Sequence, residues 1–424
     1  MKRISVIGFG KIGQAIAANS LQHGVAVTAV DINPEVERVF ANGTFTTNEP
    51  GLQDLLASNH ASGDLTITAD FGKVAGSDAI IIAIPLIVDD EKILLHEPFA
   101  KCIQELAKFC SKNTLIVIET SVPVGYSRDT VQPLLDAMGK KHGVDYLLAN
   151  SPERIKSGTM LEQLRLIPKV IGGLTDQATD RAMEVYEWFF PKQLLHRVAS
   201  IEAAEMVKLA GMIYRDVNIA LANQLAQFAD ASGIGYVDLI PLINTDREAN
   251  LLQPGIGVGG HCTPVYPYFL IENFKSRGLD FELARTSRDI NDGMAKYAVG
   301  RVKDLVKEKH ALILGLSFRP NVKEDALSTA YILKEELEKE GFEVGLNDVE
   351  YKAEEIRDRG FNAVEDIYAS NAEVVFLVTM HQEYYQIDFK RLAGSGVKYV
   401  VDGRNGMDKE KVEGAGILYI GIGR

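Results

Sequence analysis

A glycine pattern directly after the first apolar run limits the fold of this chain more than any other feature. Residues 4–9 are β-prone, and residues 8–13 carry the spacing GxGxxG before a helical pattern that continues through Leu21. Asp31 stands 23 residues after Gly8, at the end of the second predicted strand, Val25–Val30. The order of strand, glycine turn, helix, strand and terminal acid predicts a Rossmann unit that binds a dinucleotide.

The same residues indicate which dinucleotide is bound. Glycines permit a tight turn and close approach of a pyrophosphate to the helix N-terminus, and the Asp31 carboxylate can accept hydrogen bonds from the adenosine ribose. Ile32 and Asn33 follow instead of an arginine, which favours NAD over NADP. The predicted cofactor contacts in this turn are Gly8, Gly10, Lys11, Ile12, Gly13 and Asp31. A Rossmann unit that has lost its nucleotide is the alternative.

Strands and helices alternate at both ends of the chain, which is typical of a doubly wound parallel sheet. In the amino-terminal part further strands are predicted at Ala79–Ile84, Leu115–Glu119 and Tyr146–Ala149, with helices near 92–110, 127–139 and 176–190. In the carboxyl-terminal part strands are predicted at His310–Leu314, Glu343–Leu346, Glu373–Thr379 and Lys398–Val401, with helices at 328–340 and 350–358.

The middle of the chain has a different pattern. From Ile201 to about Ser232 apolar residues recur at helical spacing without a proline, and residues 281–306 are helical again. A helix this long usually supports another domain or a partner subunit, so we predict a homodimer. The predicted fold class is α/β, with two Rossmann-like, doubly wound parallel-sheet domains at 1–195 and 301–424. A helical central domain at 196–300, with a long connecting helix, joins them and forms the dimer.

Composition limits the compartment and the partners. A net charge of −13 argues against nucleic-acid binding, which calls for basic patches. No run of 18 apolar residues is present, so we expect no membrane span. The first strand begins too early to leave room for a signal peptide, and the three cysteines have neither disulfide nor metal-ligand spacing. We therefore expect a cytoplasmic protein without a metal site.

A cysteine follows a glycine-rich turn in residues 255–264, Gly-Ile-Gly-Val-Gly-Gly-His-Cys-Thr-Pro. Glycines let the backbone pack closely against a ligand, and a thiolate is a strong nucleophile. Beside a bound nicotinamide, Cys262 could capture an aldehyde covalently, so that a second hydride leaves and an acid results. A buried structural cysteine is the alternative, and Cys102 and Cys110 are expected in the core.

Other segments complete a pattern that runs in order through both α/β parts. They are Val30–Asn33, Glu49–Leu52, Ser151–Arg154, Glu205–Leu209, Asn244–Pro267, Gly315–Asn321 and Asp402–Asn405. Together with the glycine turn they resemble the nucleotide-sugar 6-dehydrogenases, which oxidise UDP-glucose, GDP-mannose or UDP-N-acetylhexosamines to uronic acids. The His261-Cys262 pair is similar to the N-acetylhexosamine branch.

This resemblance implies a four-electron oxidation in two hydride transfers to NAD. It implies that Lys208 steadies the alkoxide and later oxyanions, that Cys262 forms a thiohemiacetal and then a thioester, and that Glu153 activates water positioned near Ser121. It adds Pro85, Ser121 and Glu153 to the cofactor contacts. It places the UDP-sugar in the carboxyl-terminal domain, with substrate contacts from Arg154, Lys208, Arg247, Asn250, Gly259, Phe318, Arg319 and Arg404, and Arg247 is expected to reach across the dimer.

The sequence also departs from the family pattern. The replacements are Met212 for an asparagine that supports an oxyanion, Tyr266 for an aspartate, Val265 for a lysine, Ser121 for threonine, Arg319 for lysine and Ala326 for a frequent arginine. The first two remove an amide and a carboxylate. Loss of one oxyanion donor typically costs roughly 10²–10³ in rate, so the substrate or the second half-reaction could differ.

Alternative functions therefore stay open. These are oxidation of another nucleotide-linked substrate, a two-electron dehydrogenase of the 3-hydroxyacid type, and a non-catalytic nucleotide-sugar binder. Single residues also have ordinary interpretations: Glu153 as a solvated loop acid or helix cap, Lys208 as a surface lysine and Arg247 as a loop ion-pair former. His261 is expected to pack beside Cys262 rather than to act as its base. The sequence does not distinguish sugar epimers or uracil from guanine.

Overall fold

The computed structural model describes residues 2–89, 91–111 and 113–424. The chain divides into a first unit, Met1–Gly211 with Tyr268–Arg277, and a second unit, Met212–Pro267 with Gly278–Arg424. The strands are β1 (Arg3–Ile7), β2 (Ala26–Val30), β3 (Leu65–Thr68), β4 (Ala79–Ile82), β5 (Thr114–Ile118), β6 (Tyr146–Asn150), β7 (Lys169–Gly173), β8 (Leu195–Arg197), β9 (His310–Leu314), β10 (Glu343–Asn347), β11 (Asn362–Ala363), β12 (Val374–Leu377), β13 (Tyr399–Asp402) and β14 (Leu418–Gly421).

The α-helices surround these strands in sequence. They are α1 (Lys11–Gln22), α2 (Pro34–Ala41), α3 (Leu52–Ser62), α4 (Glu97–Ala107), α5 (Gln132–Ala137), α6 (Met160–Leu164), α7 (Asp176–Tyr186), α8 (Ile201–Ser232), α9 (Ile240–Ile243), α10 (Tyr266–Lys275), α11 (Glu282–Asp292), α12 (Met294–Gly300), α13 (Thr329–Lys339), α14 (Ala353–Asp358), α15 (Phe389–Gly394) and α16 (Lys409–Gly414).

The first unit is built on one sheet. Within the described residues it has eight strands in the order β3-β2-β1-β4-β5-β6-β7-β8, and the named pairs are parallel except β6 with β7. The direction of winding reverses between β1 and β4, as in dinucleotide-binding folds. Ile7 pairs with Val30 on one side and with Ile82 on the other. The glycine turn, Asp31 and the segment after β4 therefore leave the sheet at the same edge.

The second unit has the same winding. Its described strands form a six-stranded parallel sheet in the order β11-β10-β9-β12-β13-β14. Leu314 pairs with Asn347 and with Leu377, so the loops after β9, β10 and β12 also meet at one edge. The predicted α/β fold class, with two parallel-sheet parts and a helical central region, is confirmed.

The long helix is present with the predicted bounds, Ile201–Ser232. Other elements differ from the predictions. The 281–306 helix is two helices, α11 and α12, separated at Gly293, since glycine is a poor helix former. In place of a helix over 127–139, a π-helical turn at Ser127–Val131 leads into α5, which has Pro133 in its first turn.

Five strands were not predicted: β3, β7, β8, β11 and β14. β7 contains Gly172 and Gly173, which weaken a strand pattern, yet the packing requires them. A Cβ on Gly172 would lie 2.2 Å from the Ser200 oxygen, and one on Gly173 would lie 2.6 Å from the Thr179 nitrogen. No helix in the described part of the chain is long and apolar enough to cross a membrane. The domain boundaries at 195/196 and 300/301 stay a prediction.

Candidate active site

Each glycine of the first turn has a separate structural reason. Gly8 has a φ of +88° and donates its N–H to the Val30 oxygen at 2.8 Å. A Cβ on Gly13 would lie 1.9 Å from the Gly8 oxygen, so only glycine lets α1 pack this closely on β1. A Cβ on Gly10 would meet no described atom within 4 Å, which leaves this backbone approachable. The three positions thus fit the turn, the packing and the ligand approach of a dinucleotide site.

Asp31 is held beside this turn. Its Oδ2 accepts the Phe9 N–H at 2.7 Å, its Oδ1 accepts the Asn33 N–H at 2.9 Å, and the residue is half-buried. Within residues 10–22, all of which are described, α1 has neither an N-terminal side-chain cap nor an acid in its first turn. Its first N–H groups can therefore be satisfied by an anion.

The turn after β5 is fixed by two other elements. Thr120 donates its hydroxyl to the Ile84 oxygen at 2.6 Å, which joins the ends of β4 and β5. Glu205 of α8 accepts the N–H groups of Gly125 at 2.6 Å and Ser127 at 3.0 Å. Burial raises the pKa of the Glu205 carboxyl to about 7, despite these hydrogen bonds. Ser121 is buried in this turn, whereas Pro85 is exposed after β4.

Glu153 belongs to a buried ionic cluster. Lys169 Nζ lies 2.8 Å from Glu153 Oε2 and 2.5 Å from Glu119 Oε2, and the Tyr186 hydroxyl donates to Glu119 Oε1. Burial would raise the pKa of Glu153, but Lys169 and the N–H groups of Arg154 and Ile155 hold it below its ordinary value. Burial also raises the pKa of Glu119, to about 7. Glu153 is therefore not a solvated loop acid.

Lys208, which lies three residues after Glu205 on α8, is also buried, which excludes an ordinary surface lysine. The segment after Glu153 is anchored as well, since Glu49 accepts the N–H groups of Gly158 at 2.5 Å and Met160 at 3.3 Å. Arg154 is half-buried, and its guanidinium donates to the Pro168 oxygen.

The second unit holds the glycine segment that precedes Cys262. Gly255 donates its N–H to Asn223 Oδ1 of α8 at 2.9 Å, and Ile256 donates to the Gly403 oxygen at 3.0 Å. A Cβ on Gly259 or on Gly260 would lie 2.9 or 2.8 Å from atoms of the Phe318 side chain. Both positions must be glycine because Phe318 covers them. The structure thus brings the cysteine segment, Phe318 and the 402–405 turn together.

Cys262 differs from the other two cysteines, all three being in the described chain. It is half-buried, and its Sγ lies 3.6 Å from the Tyr266 hydroxyl oxygen. Burial raises the pKa of Cys102 to about 12 and that of Cys110 to about 11, so both thiols stay protonated at neutral pH. His261 is exposed and meets the Phe318 ring edge-to-face, with centroids 6.1 Å apart.

A buried pair anchors the loop that carries Phe318 and Arg319. Asp348 Oδ2 accepts the N–H groups of Leu316 at 2.6 Å and Ser317 at 2.8 Å. His381 Nδ1 accepts the Asn321 N–H at 3.0 Å, so the proton is on Nε2, which lies 3.1 Å from Asp348 Oδ2. Burial would raise the pKa of Asp348, but His381 and the N–H groups of Ser317 and Glu350 hold it below its ordinary value.

The remaining predicted substrate residues lie in two places. Arg404 is half-buried and donates from Nε to the Val378 oxygen at 2.6 Å, beside the glycine segment. Arg247 and Asn250 are exposed on the loop after α9. This loop is held by Asn218 of α8, which donates to the Asn250 oxygen at 2.7 Å and accepts the Leu252 N–H at 2.8 Å. The loop that carries Arg247 is therefore tied to α8.

Three family sequence models match this chain: an NAD binding domain over residues 2–190, a central domain over 202–293 and a UDP binding domain over 312–409. The chain belongs to the UDP-glucose/GDP-mannose dehydrogenase family. It is 32% identical over 434 aligned residues to the UDP-N-acetyl-D-mannosamine dehydrogenase of Methanocaldococcus jannaschii, with 100% of this chain and 97% of the relative covered.

Other members of the UDP-glucose/GDP-mannose dehydrogenase family are similarly related. The NDP-N-acetyl-D-galactosaminuronic acid dehydrogenase of Ralstonia nicotianae is 30% identical over 417 residues, which cover 95% of this chain and 96% of that protein. The solved structure of the UDP-D-ManNAc dehydrogenase from Pyrococcus horikoshii matches with a TM-score of 0.89 at 28% identity, over 100% of this chain and 99% of that one.

Membership defines the chemistry at the level of the family. The chain is an NAD-dependent dehydrogenase that acts on nucleotide sugars. The predicted use of NAD is confirmed, and the glycine turn with Asp31 is the part of the first unit that fits it. The interpretation as a 3-hydroxyacid dehydrogenase is set aside, because that class has no use for a UDP binding domain.

Sequence reasoning missed Glu119, Lys169, Tyr186, Asp348 and His381. One signal was available for Asp348, because it follows the second strand of its sheet as Asp31 does in the first. Lys169 gave none, since a lysine at the start of an unpredicted strand resembles a surface residue. Its role depends on partners 16 and 50 residues away.

Proposed function

We propose that this enzyme oxidises the C6 hydroxyl of a UDP-N-acetylhexosamine, of the N-acetylmannosamine type, to the uronic acid. The sugar is suggested by relatives that bear the name UDP-N-acetyl-D-mannosamine dehydrogenase and are aligned over the full chain. The four-electron course rests on one observation above others: Cys262 is a half-buried thiol at the end of a glycine segment, whereas the other cysteines are fully buried.

The first oxidation needs a place for negative charge. NAD⁺ held by the glycine turn and Asp31 would supply the hydride acceptor for both oxidation steps. Lys208, which is buried on α8, stabilises the alkoxide that forms when the C6 hydroxyl loses its proton. A buried ammonium is more effective here than an exposed one, because less water screens its charge.

The second oxidation proceeds through Cys262. The thiolate attacks the aldehyde carbon to give a thiohemiacetal, and departure of the second hydride leaves a thioester. Tyr266 supports this step. The thiol donates toward the phenol oxygen at 3.6 Å, and once the thiol ionises the phenol can donate to the sulfur instead.

Hydrolysis of the thioester requires a base. Glu153 takes a proton from water, and the hydroxide adds to the carbonyl and releases the Cys262 thiolate. Ser121, buried in the adjacent turn, orients this water. The fixed carboxylate suits the role, because its Oε1 accepts the N–H groups of Arg154 at 2.6 Å and Ile155 at 3.0 Å.

The proposed cofactor and substrate contacts are those that the family resemblance implies. The cofactor contacts are Gly8, Gly10, Lys11, Ile12, Gly13, Asp31, Pro85, Ser121 and Glu153. The substrate contacts are Arg154, Lys208, Arg247, Asn250, Gly259, Phe318, Arg319 and Arg404. Phe318 offers a ring to a flat group, and the guanidinium groups offer charge to the diphosphate.

We also propose a homodimer formed through α8. The helix carries exposed apolar side chains at Tyr214, Leu221, Leu225 and Phe228, whose spacing places them along one side. Leu242 of α9 is 64% exposed as well. A second copy that covers this stripe would bring Arg247 to its partner's substrate.

The experiment that tests the function counts NADH formed per molecule of sugar consumed, across a panel of UDP- and GDP-sugars. The proposal predicts about two NADH for UDP-N-acetylmannosamine. One NADH would indicate a reaction that stops at the aldehyde, and none would indicate a binder. Preference for another nucleotide sugar would show that Met212 and Tyr266 are adaptations to it.

A further inference from the structure

The ionic cluster around Lys169 contains two carboxylates but only one ammonium group. The side chains of Glu119, Glu153 and Lys169 are 0%, 4% and 3% exposed. With all three groups ionised, two carboxylates share one ammonium, and the buried cluster has a net charge of −1. One added proton makes it neutral, which a poorly solvated interior favours.

The geometry gives that proton a route. Glu153 Oε2 is 2.8 Å from Lys169 Nζ, which is 2.5 Å from Glu119 Oε2. On the far side the Tyr186 hydroxyl donates to Glu119 Oε1, and the rings of Tyr186 and Phe190 lie 5.6 and 5.5 Å from the ammonium. The Glu119 side chain is fully buried, and its hydrogen-bonded connection to Glu153 runs through Lys169.

We propose that Glu119 and Lys169 form a proton relay with Glu153. The relay stores on Glu119 the proton that Glu153 takes from the hydrolytic water. Water gives its proton to Glu153 as the hydroxide adds to the thioester. Lys169 Nζ gives a proton to Glu119 and receives the one on Glu153, so Glu153 is again a carboxylate and Glu119 is a neutral acid. The relay rests on the proposed hydrolytic role of Glu153, whose base strength it supplements.

The electrostatics support the direction of transfer. Burial raises the pKa of Glu119 to about 7, although Lys169 opposes the shift, whereas the pKa of Glu153 is held below its ordinary value. The titratable groups that face Glu119 are Lys169 of β7, Glu153 after β6 and Tyr186 of α7. Glu119 must be ionised to receive the proton, so hydrolysis should accelerate as the pH rises through about 7.

The test is Glu119→Gln, which keeps the volume and the acceptor oxygen for Lys169 but cannot take up the proton. Stopped-flow NADH absorbance should show a burst of about two NADH per active site, followed by a steady rate at least about tenfold below wild type. Intact mass should detect the acyl adduct on Cys262, and the steady rate should lose its inflection near pH 7.

Two variants control this result. Glu205→Gln removes another buried carboxyl of the first unit whose pKa is also raised to about 7, yet it should keep the inflection. Tyr186→Phe removes a hydrogen-bond donor that lowers the pKa of Glu119, so it should move the inflection of the steady rate to higher pH. This variant tests the relay even if Glu119→Gln does not fold.

A folded Glu119→Gln enzyme with wild-type steady rate and pH profile overturns the relay, as does an inflection that is lost in Glu205→Gln or unmoved in Tyr186→Phe. The proposed function fails separately, if wild-type enzyme releases fewer than two NADH per sugar or if Glu153→Gln hydrolyses the thioester at the wild-type rate.

Discussion

The hydroxyl oxygen of Tyr266 lies 3.6 Å from Sγ of Cys262, within hydrogen-bonding distance for sulfur. Tyr266 begins α10, and its N–H donates to the Cys262 oxygen at 2.9 Å, so backbone and side chain both tie the two residues together. At this position the family resemblance leads us to expect an aspartate. A neutral phenol can donate to a thiolate or an oxyanion, but it is a poor base, because its ordinary pKa is about 10.

We expect the first hydride transfer to be faster than the later steps, with a fast burst of NADH before a slower steady state. Met212→Asn combined with Tyr266→Asp restores the amide and the carboxylate and should raise the steady rate on an ordinary UDP-sugar. Stopped-flow absorbance measures both phases. If the double variant is inactive and wild type shows no burst, the two residues are adaptations to another substrate.

Cofactor choice follows from Asp31. A carboxylate in this turn repels the 2′-phosphate of NADP, so kcat/KM should be well over ten times higher with NAD than with NADP. A factor of ten corresponds to a difference of about 1.4 kcal/mol in activation free energy. Steady-state kinetics with both cofactors checks this. Asp31→Ala should lower the ratio of kcat/KM with NAD to kcat/KM with NADP. Equal use of both cofactors by wild type would contradict the role assigned to Asp31.

The buried pair of Asp348 and His381 should act on substrate affinity. His381→Ala removes the acceptor for the Asn321 N–H and one hydrogen-bond donor to Asp348, which keeps the N–H groups of Leu316 and Ser317. The unfolding free energy should therefore fall by about 2 kcal/mol. Because the loop that carries Phe318 and Arg319 loosens, KM for the nucleotide sugar should rise about tenfold, with a smaller change in kcat.

The control for this variant is Asp408→Asn, which alters an exposed cap of α16 in the same unit and should leave KM unchanged. Isothermal calorimetry with UDP separates affinity from turnover. Wild-type affinity in a folded His381→Ala protein would show that the loop does not depend on this anchor.

The apolar stripe of α8 should form the dimer. Phe228 is 65% exposed, so Phe228→Glu should place a charge in the interface and yield monomers in sedimentation velocity at micromolar concentration. Leu166→Glu changes a side chain of the first unit with the same exposure and should leave the dimer intact. A wild-type monomer would remove both the interface and the cross-subunit role of Arg247.

Periodicity and turn chemistry were sufficient to predict the winding of both sheets and the bounds of α8, because these depend on local pattern. The GxGxxG turn was predictable for the same reason, since each glycine is required by the backbone geometry of one βαβ unit. Strand β7 was not, because its two glycines are required by tertiary packing, Gly172 against Ser200, which is distant in sequence, and Gly173 against Thr179 of α7.

The site was predictable only in part. Motifs suggested Glu153 and Cys262, but they carried no information about which groups would surround them. Lys169 and Glu119 come together through the pairing of separate strands, and their pKa values depend on burial that no local pattern records. The hydroxyl of Tyr266 became relevant only when its distance to the thiol was known.

The central claim is covalent catalysis by Cys262, and NADH stoichiometry in wild type and Cys262→Ala tests it most directly. Wild type should release about two NADH per UDP-sugar, with uronic acid as product. Cys262→Ala should form no acid while NAD and UDP-sugar binding persist, and Cys102→Ala serves as the control for loss of a thiol. Uronic acid formed by Cys262→Ala at near the wild-type rate would contradict the account and leave Cys262 as a packing residue.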